Sequence, residues 1–355
     1  MRFVAVTLIC ALLLAAPLTH VAVSCTSFVM DTPEGPIFGA NLDLFIPGDG
    51  LLMVNRRGIE KQGYQTGTTG ESALWTSKYG SVTFNLAGNQ FVWAGMNEAG
   101  LTISSMELRS GEYPKRDERP SLFKGNWGQY VLDTCGSVEE VIATDALTRL
   151  EDQGPTDHYL VADAEGNTVA IEYLDGEFVY FVDEDLPVRA MTNIRYERAL
   201  YAYEEGGMRW WWSNPGASSE RFAACQQRAE SFDAGRDTSA VDYAFGTLLY
   251  YVAAPHTRWS IVNDIAAREF WFRSDQNPVE KHVSLDDFDF SCDAPKLMLD
   301  VNAQLEGDVA DDFVPYDPAV NLDVFWTFCD RYGLEVSEKD ARDLTRFFDA
   351  FECAR

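Results

Sequence analysis

Cys25 stands directly after an apolar leader whose last three residues, Ala22-Val23-Ser24, have the small-x-small form that signal peptidase cuts. Cleavage after Ser24 would leave Cys25 first in the mature chain, with a thiol and a free α-amine on one residue. Such an amine has a pKa of roughly 7.7 to 8.0 and accepts a thiol proton near neutral pH. Nucleophile and general base then come together in one residue. Two other readings stand beside this one: a cysteine at a cleavage site also serves as a lipid attachment point or pairs in a disulfide. Ala22, three before the cysteine where lipoprotein signals usually carry leucine, weighs against the lipid anchor.

The rest of the chain offers few rival chemistries. Besides Cys10 in the leader, the cysteines are Cys135, Cys225, Cys292, Cys329 and Cys353, so if Cys25 is kept free at least one further thiol is unpaired. His158, His256 and His282 are widely separated and no C-x-x-C occurs, which argues against a zinc site and for a chemistry without a cofactor. No G-x-S-x-G, Walker or H-E-x-x-H motif is present. Asp and Glu number 56 against 28 Lys and Arg, a net charge of -28 that repels phosphate backbones and excludes nucleic acid as a partner. With 46% hydrophobic residues, the chain has the means to pack a globular core. The leader, with Arg2 ahead of the apolar run Phe3 to Ala16, is too short to span a bilayer, and no second such run follows. A cleaved signal peptide over 1–24, a secreted or periplasmic location and no transmembrane span are the expectations.

The elements that must position Cys25 are short strands joined by turns. Thr26 to Asp31, the turn Thr32-Pro33-Glu34-Gly35 and Pro36 to Asp43 read as a hairpin starting at the new N-terminus. A second hairpin reads as Gln90 to Met96 and Leu101 to Met106, and a third as His158 to Asp163 and Thr168 to Tyr173, continuing into Glu177 to Val182. Helices are expected from Asn126 to Cys135, from the capping box at Ser137 to about Leu150, from Arg221 to about Phe232 capped by Ser218-Ser219-Glu220, and from Val241 to Tyr251. Arg258 to Asp264 and Glu269 to Arg273 return to strand. After Phe290 the texture turns acidic and loop-rich through Pro318, ending in a helix from about Ser337 to Phe351. The expected organisation is one domain over 25–290 with an acidic appendage, 291–355, whose terminal helix packs on it.

Cys25-Thr26-Ser27-Phe28-Val29 followed by Phe38-Gly39-Ala40-Asn41-Leu42-Asp43 resembles the start of the linear amide C-N hydrolases, the group of choloylglycine hydrolases, penicillin V acylases and acid ceramidase relatives. Met96-Asn97-Glu98-Ala99-Gly100-Leu101 is similar to their M-N-E-x-G-L segment, Met191-Thr192-Asn193 to their T-N motif and Ser219-Glu220-Arg221-Phe222 to their S-x-R-F motif. Thr257 to Arg273 resembles their late strand pair. The matches run in family order from Cys25 to about Ser274.

The resemblance implies an N-terminal-nucleophile (Ntn) hydrolase: an α+β, four-layer αββα sandwich of two antiparallel sheets. It implies a cysteine amidase acting on a small-molecule N-acyl amide through a thioester, with an acyltransferase or a non-catalytic binding lipoprotein on the same scaffold as alternatives. Cys25 would attack, Asp43 would hold its amine, Asn193 would donate to the oxyanion and Arg221 would polarise the site. Read alone, Asp43 also fits a turn or strand-end aspartate, Asn193 a residue capping its own turn and Arg221 a solvated helix charge. Two residues depart from the pattern: Ala40 stands where choloylglycine hydrolases have arginine, and Glu107 where they have an asparagine near the oxyanion. The aromatic run Trp210-Trp211-Trp212 reads as core or surface packing more readily than as an acyl pocket.

Overall fold

The computed structural model describes residues 24–64, 71–151, 155–206, 217–237 and 239–354, so the leader and Trp210-Trp211-Trp212 lie outside the described residues. Thr26–Thr32 (β1) and Gly35–Asp43 (β2) form the expected hairpin, with Thr26 opposite Asn41 and Thr32 opposite Gly35. Gly35 turns the chain at φ 140°, where a Cβ would fall 2.6 Å from the Ala266 methyl. Both strands sit inside a seven-stranded sheet, ordered Ala190–Thr192, β1, β2, Thr257–Asp264, Glu269–Ser274, Lys281–Ser284 and Gly307–Asp308. The second sheet, nine-stranded and antiparallel, runs Glu177–Phe181, Thr168–Leu174, Thr156–Ala162, Thr102–Leu108, Val92–Asn97, Ser81–Asn85, Leu51–Asn55, Leu297–Asp300 and Val314–Pro315.

The sheets face each other across one apolar core. Phe84 of the nine-stranded sheet meets Phe270 and Phe272 of the seven-stranded one edge-on, at 5.4 and 5.3 Å between ring centres. Each such side chain, removed from water, contributes about 1.5–3 kcal/mol. Helices Lys124–Thr134 (α1) and Val138–Ala143 (α2) cover the outer face of the nine-stranded sheet. Tyr196–Gly206 (α3), Ser218–Ser231 (α4) and Ala240–Tyr250 (α5) cover the other sheet. The layers are therefore α, β, β, α, the Ntn-hydrolase sandwich.

Two helix boundaries differ from expectation. Ser137 caps its helix by accepting from Glu140 N–H, but the helix stops at Ala143 instead of Leu150. Thr144 turns its hydroxyl back to the Val141 carbonyl at 2.7 Å, and Arg119 holds the Asp145 carbonyl at 2.7 Å, drawing the chain out into Arg149–Leu150 beside Ser121–Leu122. At α4, Ser218-Ser219-Glu220 form the first turn itself, and the N-cap is Ala217 with no side-chain hydrogen bond. The Ser218 carbonyl accepts from the Thr192 hydroxyl at 3.0 Å, so the helix start is fastened to the neighbouring strand.

The acidic tail is more structured than its composition suggests. Leu297–Asp300 pairs with Leu51–Asn55 in the nine-stranded sheet. Pro318–Arg331 (α6) is a further helix, capped by Asp317, in a stretch with no expected element, and Glu338–Asp349 (α7) is the expected terminal helix, capped by Ser337. A disulfide between Cys292 and Cys353 joins the start of the tail to its end.

Candidate active site

β1 has a partner on each side, and continuing both registers by one residue sets Cys25 opposite Leu42 and Asn193. Successive side chains then alternate between faces. Thr26 faces the helices, where its Oγ1 accepts from Arg221 Nε at 2.8 Å. Ser27 faces between the sheets, with its Oγ 2.5 Å from Ser104 Oγ. Cys25 shares the side of Ser27, and its buried thiol lines a cavity of about 200 Å³. Gly39 of the F-G-A-N-L-D run lets this hairpin close, because a Cβ there would meet the Phe28 ring at 2.5 Å.

Asp43 ends β2 where the pairing with the next strand shifts register between Thr257 and Trp259. The Thr257 hydroxyl lies 2.5 Å from Asp43 Oδ1, while Oδ2 is buried with no hydrogen-bond partner among the described residues. Burial pushes the Asp43 carboxyl up to about 6 against the pull of Thr257, Arg221 and Arg258. Burial also drives the Cys25 thiol well above its ordinary value, and the Asp43 charge adds to the effect. A backbone hydrogen bond from Asp43 and the Arg221 charge work the other way. The net result is a thiol that stays protonated until a base removes its proton.

Arg221 is not a solvated charge: it is 1% exposed. Its Nη2 donates to the Cys25 carbonyl at 3.4 Å and to Ser218 Oγ at 3.3 Å. The packing of α4 against β1 buries it, so its charge acts at short range on Cys25 and Asp43. Asn193 Nδ2 donates to the Glu107 carbonyl at 3.0 Å, and Asn193 Oδ1 is buried without a partner among the described residues. Behind this turn, Glu172 Oε1 accepts from Tyr196 N–H at 2.8 Å and lies 3.1 Å from His158 Nδ1. Cys25, Asp43, Asn193 and Arg221 thus converge on one end of the sandwich.

Three features went unread in the sequence. Thr257 opens the late strand pair, but nothing local marks it as the partner of Asp43. His158 and Glu172 lie on neighbouring strands with no motif between them. Phe328 and Tyr332 line the Cys25 cavity from α6 and its C-cap, together with Leu42, Leu44, Leu86, Phe91, Val92, Trp93 and Met106. The Glu107 side chain also borders the cavity, with Oε1 2.5 Å from Arg109 Nε. Ala40 is buried in the core, and the positive charge near the nucleophile comes from Arg221, with Arg258 acting on Asp43.

The M-N-E-A-G-L segment is structural. Asn97 Oδ1 accepts from Ala99 and Leu101 N–H, and its Nδ2 donates to the Leu132 and Cys135 carbonyls at 2.8 and 2.7 Å, tying the turn to the end of α1. Gly100 supplies the φ of 82° that the turn requires. Among the described residues Cys25, Cys135, Cys225 and Cys329 are buried and unpaired, so Cys25 takes no part in the Cys292–Cys353 disulfide. Among the described residues no group of three His, Cys, Asp or Glu side chains is placed to hold a metal, and no helix is long and apolar enough to cross a membrane.

Residues 25–205 match the family model described as linear amide C-N hydrolases, choloylglycine hydrolase family. A penicillin V acylase of Pectobacterium atrosepticum is 32% identical over 206 residues, which cover 52% of this chain and 54% of that relative. The match thus spans about half the length of the curated relative. The solved penicillin V acylase from Agrobacterium tumefaciens superposes with a TM-score of 0.69 at 26% identity, covering 83% of this chain and 98% of its own. A variant of conjugated bile acid hydrolase from Clostridium perfringens shares the fold, with a TM-score of 0.61 at 13% identity over 82% of this chain and 96% of its own.

Proposed function

The chain belongs to the linear amide C-N hydrolases of the choloylglycine hydrolase family, and from that premise we propose that it is an exported cysteine amidase cleaving the linear amide bond of a small N-acyl substrate. The observation that carries this reading is the setting of Cys25, a buried thiol in the wall of a largely apolar cavity with Asp43 and Arg221 against it. Removal of the leader after Ser24 turns the Cys25 nitrogen into an α-amine. Asp43 Oδ2, which has no other partner, is the acceptor that holds it.

In the proposed cycle the α-amine takes the thiol proton as Sγ attacks the carbonyl carbon. Asn193 Nδ2, which keeps a second N–H beyond the one given to Glu107, donates to the oxyanion. The C–N bond breaks as the α-ammonium returns its proton to the leaving nitrogen, and an amine departs from a Cys25 thioester. Water then gives a proton to the α-amine and its oxygen to the acyl carbon, and the acid leaves as the thiol is restored. Arg221 holds the Cys25 carbonyl and favours the thiolate throughout.

Penicillin V, named in two of the relatives, is the first substrate to assay. Mass spectrometry of the exported protein is expected to find a free Cys25 N-terminus; an intact leader or a lipidated cysteine would refute the reading. Cys25→Ser is expected to abolish release of free amine, and undiminished release would exclude the mechanism.

A further inference from the structure

We propose that α6 and the tyrosine that caps it form the wall that sets acyl-group size, with Phe328 and Tyr332 as specificity-determining residues of the Cys25 cavity. The inference rests on the amidase reading above. Both side chains lie well beyond residue 205, where the family match ends, yet both border the cavity that Cys25 borders. Their rings stand 4.4 Å apart, so they present one continuous aromatic surface. Tyr332 borders the same cavity as Cys25 and Glu107.

This wall is held in place rather than poised to open. Asn321 Oδ1 accepts from Asn89 N–H at 2.7 Å, and Phe325 packs on Phe91, itself a cavity residue, at 5.9 Å. Arg331 forms an ion pair with Asp49, and the Cys292–Cys353 disulfide fastens the chain beyond. A fixed wall means a fixed volume. The cavity, at about 200 Å³, is smaller than the ~300–1,000 Å³ of sites for drug-sized ligands. Its lining is mostly apolar, so the substrate class is an N-acyl amide with a short or flat apolar acyl group. Removing the Phe328 ring would lengthen the cavity, and a tryptophan there would shorten it.

Two readouts test this on the leader-free enzyme. The first is kcat/KM on straight-chain N-acyl 4-nitroanilides from butanoyl to dodecanoyl. Because one methylene in an apolar pocket is worth about 10–200-fold in selectivity, Phe328→Ala is expected to raise the dodecanoyl-to-butanoyl ratio by about tenfold or more. Phe328→Trp is expected to lower it. The second readout needs no turnover: rates of Cys25 alkylation by N-ethylmaleimide and N-octylmaleimide, followed by peptide mass spectrometry, with Phe328→Ala raising the octyl-to-ethyl ratio. If the parent hydrolyses no N-acyl amide but the labelling ratio shifts, the amidase reading falls and the pocket wall stands. If both ratios stay flat in both variants, the wall assignment is overturned whatever the parent hydrolyses.

Discussion

Replacing Arg221 with methionine tests the electrostatics of the site most directly. The guanidinium is buried and donates to Thr26, to the Cys25 carbonyl and to Ser218. Breaking a buried charged contact by removing one partner costs about 3–5 kcal/mol, and here the group left behind is the Asp43 carboxylate, which Arg221 helps to keep ionised. Arg221 also draws the Cys25 thiol down, so its loss raises both pKa values, each unit being about 1.4 kcal/mol. The sign of the pH effect follows. Asp43 acts as a carboxylate and loses that form as pH falls through its pKa, about 6 with Arg221 present. The α-ammonium of the leader-free enzyme lowers that value, whereas removal of Arg221 raises it. Arg221→Met is therefore expected to move the acid limb of kcat/KM, to which Asp43 and the Cys25 α-amine both contribute, to higher pH and to lower kcat/KM on the plateau by about 10²–10³-fold, the loss typical of one preorganised electrostatic group. Arg221→Lys keeps the charge but loses the fork that reaches Thr26 and Cys25 together, so its acid limb stays near the parent's while its plateau drops in between. Steady-state kinetics across the acid and neutral range measure both quantities, and urea denaturation of the same variants separates loss of fold from loss of rate. A folded Arg221→Met enzyme with an unmoved acid limb and a plateau within about threefold of the parent's, far inside the range expected for such a group, would refute the reasoning.

Asp43→Asn removes the carboxylate: kcat/KM is expected to fall by about 10²–10⁴-fold, and the acid limb is expected to keep only the titration of the Cys25 α-amine, moved to lower pH because the charge that favours the ammonium is gone; an acid limb unchanged from the parent's would refute the role of Asp43. Lys281 concerns stability alone. It is fully buried with no hydrogen-bond partner for Nζ among the described residues, 5.0 Å from the centre of the Phe272 ring, and burial lowers its pKa to about 8 from 10.5. Between those values the unfolded chain binds more protons than the folded one, so stability rises with pH there, and below the lower value the penalty of a buried charge is fully present. Lys281→Met is expected to be more stable than the parent at neutral pH by about 1–3 kcal/mol, with the gain shrinking as pH rises past the folded pKa. Denaturant titrations at neutral and alkaline pH measure this, and an equal gain at both would show that the charge is not the cause.

What was legible in the sequence was local. The β1–β2 hairpin follows from Thr32-Pro33-Glu34-Gly35 between two apolar runs, and the Asn97 to Gly100 turn from its asparagine and glycine. What was not legible depended on partners far away in the chain. Arg221 in a first helical turn reads as a surface charge, and only the packing of α4 on β1, 195 residues away in sequence, buries it. α6 carried a signal that composition masked. Asp317-Pro318 is an N-cap followed by a first-turn proline, and Asn321, Phe325 and Cys329 recur at helical spacing as its buried face. The sequence reads as acidic loop through Pro318, yet that proline opens the helix.

The pKa pattern narrows the choice of base. A thiol raised by burial does not ionise by itself near neutral pH, so its proton must pass to a neighbour as the sulfur attacks. Asp43, at about 6, is a weak acceptor for such a thiol, and as a carboxylate it raises the thiol further. Arg221 has no lone pair to offer. His158, the histidine of the inter-sheet core, has its Nδ1 side committed to Glu172, and it is not among the residues lining the cavity. The base of the proposed cycle is the nitrogen of Cys25 itself, an amide while Ser24 is attached and an amine of pKa roughly 7.7 to 8.0 once it is not. On this reasoning the proposed cleavage after Ser24 would create the general base in the same step that separates the leader. The mass of the N-terminus of protein expressed with its leader therefore tests the chemistry together with the address.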